Sequence, residues 1–158
     1  VMEDGDTFEE NAYKKAWEVM KITGLPTLAD DSGLQVDYLG GAPGVHSARF
    51  SGEHGNSVKN NEKLLELMKG VPMEERKARF VCSMVLLYPD GEKITARGEI
   101  EGYIATELKG SEGFGYDPLF IVPEYNKTFG ELGRDIKNSI SHRGKALRDL
   151  REKLKDRV

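Results

Sequence analysis

Residues 78–88 read ARFVCSMVLLY, and both alternate faces of this run are apolar. An amphipathic surface strand alternates apolar with polar. A strand apolar on both faces is one that helices or sheets cover from both sides. The chain therefore needs covering elements on each side of a central strand, and its helical segments supply them. Thr7-Phe8-Glu9-Glu10 is a capping box opening a helix over 8–23, with Phe8, Ala12, Ala16, Val19 and Met20 on its apolar face and Gly24 and Pro26 behind it. A second helix fits 57–69 with Val58, Leu64, Leu65 and Met68 inward, closed by Gly70 and Pro72. The tail, 141–156, reads as a third helix with Leu147, Leu150 and Leu154 inward.

Short strands are expected at 27–29 and 34–38, on either side of a Ser-Gly turn at Ser32-Gly33. Pro89-Asp90-Gly91 turns the central strand back into EKITARGEIEGYI as a hairpin partner, and SEGFGYDPLFIV is a glycine loop feeding a short buried strand. Helices and strands interleave around one long hairpin, which predicts an α/β domain on a mixed sheet. With 158 residues and no repeat or linker, a single domain over 1–158 is expected.

Charge and cysteine content narrow the function classes. The net charge of −4 argues against a general nucleic-acid binder. The longest apolar run is far too short to span a bilayer, so no membrane partner is expected. The lone Cys82 forms no internal disulfide, which fits a buried thiol in a reducing cytoplasm. Residues 1–10 carry five acids and no base, whereas 143–158 carry seven Lys or Arg against three acids. An acidic, metal-suited end and a basic, phosphate-suited end thus bracket the chain, although most such charges serve as solvated helix faces.

Three segments carry candidate chemistry. In LADDSGLQV, Asp30 and Asp31 stand side by side where an apolar strand ends, and desolvating two carboxylates calls for compensating positive charge. Mg²⁺ would supply it, since it takes one or two carboxylates and shares the rest of its shell with water and phosphates. His46, His54 and His142 are scattered and no CxxC occurs, which leaves zinc without a ligand set. Asn11 and Lys15, four apart, share one edge of the first helix. In GSEGFGYDP, 110–118, Phe114 and Tyr116 are aromatics on a glycine loop beside Asp117, suited to stacking on a base and bonding its edge. It is neither a Walker loop nor a Rossmann fingerprint. In KNSISHRGKAL, 137–147, Ser141 caps a helix whose first turn holds His142 and Arg143. An arginine there opposes the helix dipole, a local conflict of the kind functional sites tolerate. A Ser-His-Asp hydrolase lacks its nucleophile elbow. Together these features point to a site for a nucleoside polyphosphate.

GDTFEENAYKKA, LADDSGLQVDYLGGAPGVHSARFSG, GFGYDPLFIVP, KTFGEL and NSISHRGKAL, in this order, resemble the motifs of the inosine/xanthosine triphosphate pyrophosphatase family. The likeness covers nearly the whole chain. It implies an elongated mixed sheet flanked by helices, two lobes with an active-site cleft between them, and a homodimer. It also implies Mg²⁺-dependent hydrolysis of ITP, dITP and XTP at the α–β bond, releasing the monophosphate and pyrophosphate. By position, Asp31 resembles the general base and metal-linked carboxylate and Glu3 the second metal-binding acid. Lys15 and Ser32 resemble residues at the triphosphate, and Phe114, Gly115, Tyr116 and Asp117 the nucleoside-binding loop. Lys137, His142 and Arg143 resemble the residues that contact base and substrate. The family opens upstream with a strand and a Ser/Thr-x-Asn-x-x-Lys phosphate loop, whereas this chain begins at Val1 in the acidic stretch, so the resemblance predicts N-terminal truncation. Two rivals remain: a catalytically impaired nucleotide-binding module, and a Maf-like pyrophosphatase of modified pyrimidine nucleotides.

Overall fold

A computed structural model describes residues 5–52, 56–110 and 115–155. Helix α1 is Phe8–Thr23, as the capping box requires: Glu10 N donates to Thr7 Oγ1 at 3.1 Å, and the Glu10 carboxylate returns to Asp6 N at 2.9 Å. Gly24 ends the helix in the left-handed region and donates to the Met20 carbonyl. Strand β1 follows at Thr27–Val36, then α2 at Ser57–Leu67, β2 at Lys77–Leu87 and β3 at Lys93–Ile104. The chain continues through β4 at Phe120–Val122, β5 at Lys127–Thr128, α3 at Arg134–Ile140 and α4 at His142–Lys155.

The α/β class holds. Five strands form one sheet in the order β1-β2-β3-β4-β5. Neighbours in space are neighbours in sequence, as in an antiparallel meander. β3 and β4 pair antiparallel with Tyr103 opposite Ile121, and β4 and β5 with Ile121 opposite Thr128. The β2–β3 hairpin closes on the expected turn, where Gly91 at φ +92° donates to the Tyr88 carbonyl.

Two expectations needed correction. The strand through the acids does not break at Ser32-Gly33: β1 runs unbroken for 10 residues. The second is that Val19, Val58 and Leu147 are exposed. On α2 the buried stripe is Asn60, Asn61 and Leu64, so asparagines hold positions that hydropathy alone would hand to valine. α3 and β5 carry too few apolar positions to register as periodic elements.

The chain divides into two compact units: Val1–Ser32, Val81–Glu99 and Ser141–Val158 form the first, and Gly33–Phe80 with Ile100–Ile140 the second. In the first unit β2 is covered on both sides. Val85 and Leu87 pack with Ala12 and Ala16 of α1, while Cys82 and Met84 pack with Ala146 and Leu150 of α4. The two faces of the central run thus meet two different helices, which is why neither face can be polar. Gly98 of β3 lies so close to α4 that a Cβ there would stand 2.2 Å from the His142 carbonyl oxygen.

The second unit has a core of Leu34, Val36, Leu64, Met68, Ile104 and Leu119 around three rings. Phe80 and Phe120 lie 4.5 Å apart between centroids, and Phe120 and Phe129 5.5 Å. Arg76, only 2% exposed, binds this unit through backbone rather than through a carboxylate. Its guanidinium donates to the carbonyls of Met68, Val71, Ile104 and Ala105 at 2.6–3.0 Å. Burial lowers its pKa, and the four carbonyls keep the charge solvated. Arg76→Lys, which loses the planar fork, should destabilise the protein by about 3 kcal/mol in urea denaturation. A loss below about 0.5 kcal/mol would show that this staple is dispensable.

Candidate active site

Each unit carries one cluster of the functional residues expected from sequence. In the first unit the two aspartates are adjacent on β1, so their side chains leave opposite faces of the strand. Asp31 points to the α1 side, with Ala29. It is buried, with Lys15 Nζ 3.4 Å from Oδ1 and Asn11 Nδ2 donating to Oδ2 at 3.3 Å. Lys15 also donates to the Asp30 carbonyl at 3.0 Å, so its ammonium is anchored on both backbone and carboxylate. Asn11 is fully buried, and its Oδ1 accepts from Gly5 N at 2.7 Å.

Asp30 points to the α4 side. Its Oδ2 lies 3.0 Å from Arg143 Nη2 and 3.9 Å from Cys82 Sγ. Ser141 caps α4 as expected, accepting from Gly144 N at 3.1 Å. Asp30 settles the conflict of an arginine in a first turn, because it sets a negative charge against the positive helix end. The like-charge problem therefore resolves geometrically: each aspartate has its own cation on its own face.

Ser32 Oγ is buried and, among the described residues, makes no hydrogen bond of normal geometry, though it lies near enough to Cys82 to affect that thiol. Burial pushes the Cys82 thiol up from its ordinary 9.0. Ser32 opposes this, Asp30 adds to it, and Arg143 opposes it. Glu3 lies outside the described residues.

The second unit holds Gly115, Tyr116, Asp117 and Lys137; Phe114 is outside the described residues. Asp117 is 5% exposed and forms a short ion pair with Lys137 of α3. Tyr116 is a core residue, 6% exposed, whose hydroxyl donates to the Ser47 carbonyl at 2.6 Å. Its burial raises its pKa. Its ring thus braces the loop from inside. Lys137 and the His142-Arg143 turn, near in sequence, belong to different units.

Sequence reasoning missed the supports of this loop. Asn61 donates to the Gly115 carbonyl at 3.0 Å. Asn60 donates to the Ser47 and Ala48 carbonyls and accepts from Ser51 N. The available signal was a polar pair occupying the apolar stripe of α2.

The family model of the Ham1 family matches residues 1–153. The chain belongs to the Ham1 family. The resemblance carried by the five sequence motifs holds over nearly its whole length. This Ham1-family chain is 58% identical to a dITP/XTP pyrophosphatase of Clostridium perfringens, over 98% of itself and 79% of that protein. It is 54% identical to one of Geobacter sulfurreducens, covering 98% and 77%. Among solved structures, the Staphylococcus aureus Ham1 protein is similar with a TM-score of 0.94 at 41% identity, covering 100% of this chain and 81% of that one. A HAM1 protein from Coxiella burnetii gives 0.93 at 42% identity, covering 99% and 80%.

The donor set of the Ham1 chain is hard oxygen. Among the described residues no three His, Cys, Asp or Glu side chains gather into a closed metal cage. Asp31, a buried carboxylate, could serve as one oxygen ligand to a hard divalent ion such as Mg²⁺.

Two outcomes follow. Lys15→Met leaves the Asp31 carboxylate half-compensated and should cost about 2 kcal/mol in urea denaturation; an unchanged midpoint would remove the pair from the fold's support. Because the Cys82 thiol titrates higher folded than unfolded, its contribution to stability is full below pH 9 and is lost as pH rises above it. Unfolding midpoints measured from pH 7 to 10 should therefore fall less steeply in Cys82→Ala than in the parent chain, and parallel curves would refute the assignment.

Proposed function

We propose that this chain hydrolyses non-canonical purine nucleoside triphosphates, ITP, dITP and XTP, to the monophosphate and pyrophosphate. The reading includes Mg²⁺ as cofactor and a cytoplasmic homodimer acting on free nucleotides without nucleic-acid or membrane partners. Among the described residues no helix is long and apolar enough to cross a membrane. The observation that carries the reading is the buried Asp31 carboxylate held by Lys15 and Asn11, in a chain 58% identical to a relative named for dITP/XTP pyrophosphatase activity.

Water attacking a phosphoanhydride has to approach a polyanion and lose a proton. Asp31 is the base: its two oxygens are held by two fixed donors, so the carboxylate is aimed rather than free to rotate. Mg²⁺, held by Asp31 with Glu3, would neutralise phosphate charge. Lys15 adds a positive charge beside Asp31, and Ser32 Oγ is a hydroxyl still able to bond an incoming phosphate oxygen. Arg143 is half-exposed, and its ion pair with Asp30 is a surface one that costs at most about 1 kcal/mol to give up for substrate. His142 precedes it in the same turn.

The loop of Phe114, Gly115, Tyr116 and Asp117, with Lys137, reads the nucleoside. Lys137, an ammonium with N–H donors held beside Asp117, is the group placed to recognise the 6-keto oxygen of a purine. An adenine 6-amino group would set donor against donor. A buried polar site left unpaired in this way discriminates by about four orders of magnitude.

Pyrophosphate release should be measured from ITP, dITP, XTP, ATP, GTP and dUTP, with and without Mg²⁺. ITP and XTP turnover should exceed ATP turnover by about a thousandfold or more and vanish without the metal. Equal rates on ATP and ITP would end the specificity claim, and preference for dUTP would favour a pyrimidine pyrophosphatase. Asp31→Asn should lower turnover by at least about a thousandfold with the fold retained. Near-parent rates would take Asp31 out of catalysis.

A further inference from the structure

Asn61 has no role in the chemistry above, yet its placement is unusual. It lies in the second turn of α2, 6% exposed, and its Nδ2 donates to the Gly115 carbonyl across 54 residues of sequence. Among the described residues its buried Oδ1 has no donor. A half-satisfied buried amide is a poor stabiliser, because the desolvation of its unpaired acceptor offsets the bond its donor makes. A leucine of similar volume would serve the core as well. What the amide does make is a bond to the loop.

The support beneath it is rigid. Asn56 caps α2 by accepting from Lys59 N at 3.1 Å, and Asn60 ties the same turn of the helix to Ser47, Ala48 and Ser51. At the far end Arg76 binds the Met68 and Val71 carbonyls. On the loop, Gly115 stands at φ +60°, a backbone setting that favours glycine, immediately before the tyrosine and aspartate. Tyr116 is fixed through its hydroxyl to Ser47, and Asp117 through its carboxylate to Lys137. Asn61 completes the set by fixing main chain where those two fix side chains.

We propose that Asn61 is a positioning residue for purine recognition, clamping the Gly115 carbonyl so that Asp117 and Lys137 stand in register with the base edge. This rests on the reading of that loop as the nucleoside reader. An amide on a rigid helix suits the task, since small displacements of a recognition group forfeit its bond.

The test compares Asn61→Leu and Asn61→Asp, neither of which can donate to Gly115, with Asp117→Asn and with Ile100→Ala, a core truncation in the same unit. Steady-state kinetics on ITP and ATP and thermal unfolding are measured for each. Both Asn61 variants should raise the KM for ITP about tenfold, with kcat within about threefold of the parent and the preference for ITP over ATP reduced. Ile100→Ala should lower the unfolding temperature and leave KM unchanged. An Asn61 pair that behaves like Ile100→Ala, or that cannot fold, overturns the proposal, because the amide then serves stability. If Asp117→Asn raises KM while the Asn61 variants do not, this inference alone fails. If Asp117→Asn leaves KM unchanged, the reading of the loop fails with it.

Discussion

Two carboxylates on consecutive residues of an extended strand must leave on opposite faces, and the first unit is organised around that fact. Asp31 faces α1 and takes Lys15 and Asn11; Asp30 faces α4 and takes Arg143. Neither helix could be omitted without leaving a carboxylate uncompensated. The same alternation sorts the apolar side chains of β2, so hydrophobic burial and charge compensation place the helices consistently. The close pass of Gly98 against the start of α4 fits this arrangement, because Arg143 reaches Asp30 only if its helix start lies near the sheet.

The second unit relies on a different device. Its loops bury backbone carbonyls that no ladder satisfies, and side-chain donors take them up: Arg76 binds four, Asn60 two, and Tyr116 and Asn61 one each. Bonds to main chain fix a loop more firmly than bonds between flexible side chains, since fewer rotamers separate the two ends. Donor geometry toward a base edge depends on such fixing.

Much of this was legible in the residues. The capping box placed α1, the double-faced apolar run placed β2, and Pro-Asp-Gly placed the hairpin, because each depends on neighbours in sequence. The acidic pair was recognisable as requiring positive charge. Its resolution was misread, since a turn at Ser32-Gly33 looked natural beside two charges, and only the helices on either side let the strand run through. Val58 was read as inward and Asn61 passed over because hydropathy counts an amide as solvent-seeking. The carbonyl that makes burial acceptable for Asn61 lies 54 residues away.

The sequence by itself determined the α/β class and the family, because those follow from local periodicity and from motifs read in order. Tertiary structure decided which partners they have: that Asp30 and Asp31 are separate sites with separate cations, that Tyr116 braces rather than projects, and that Asn61 grips the loop. Those outcomes depend on which distant backbone groups come within 3 Å or so of a side chain, and only the packed chain fixes that distance.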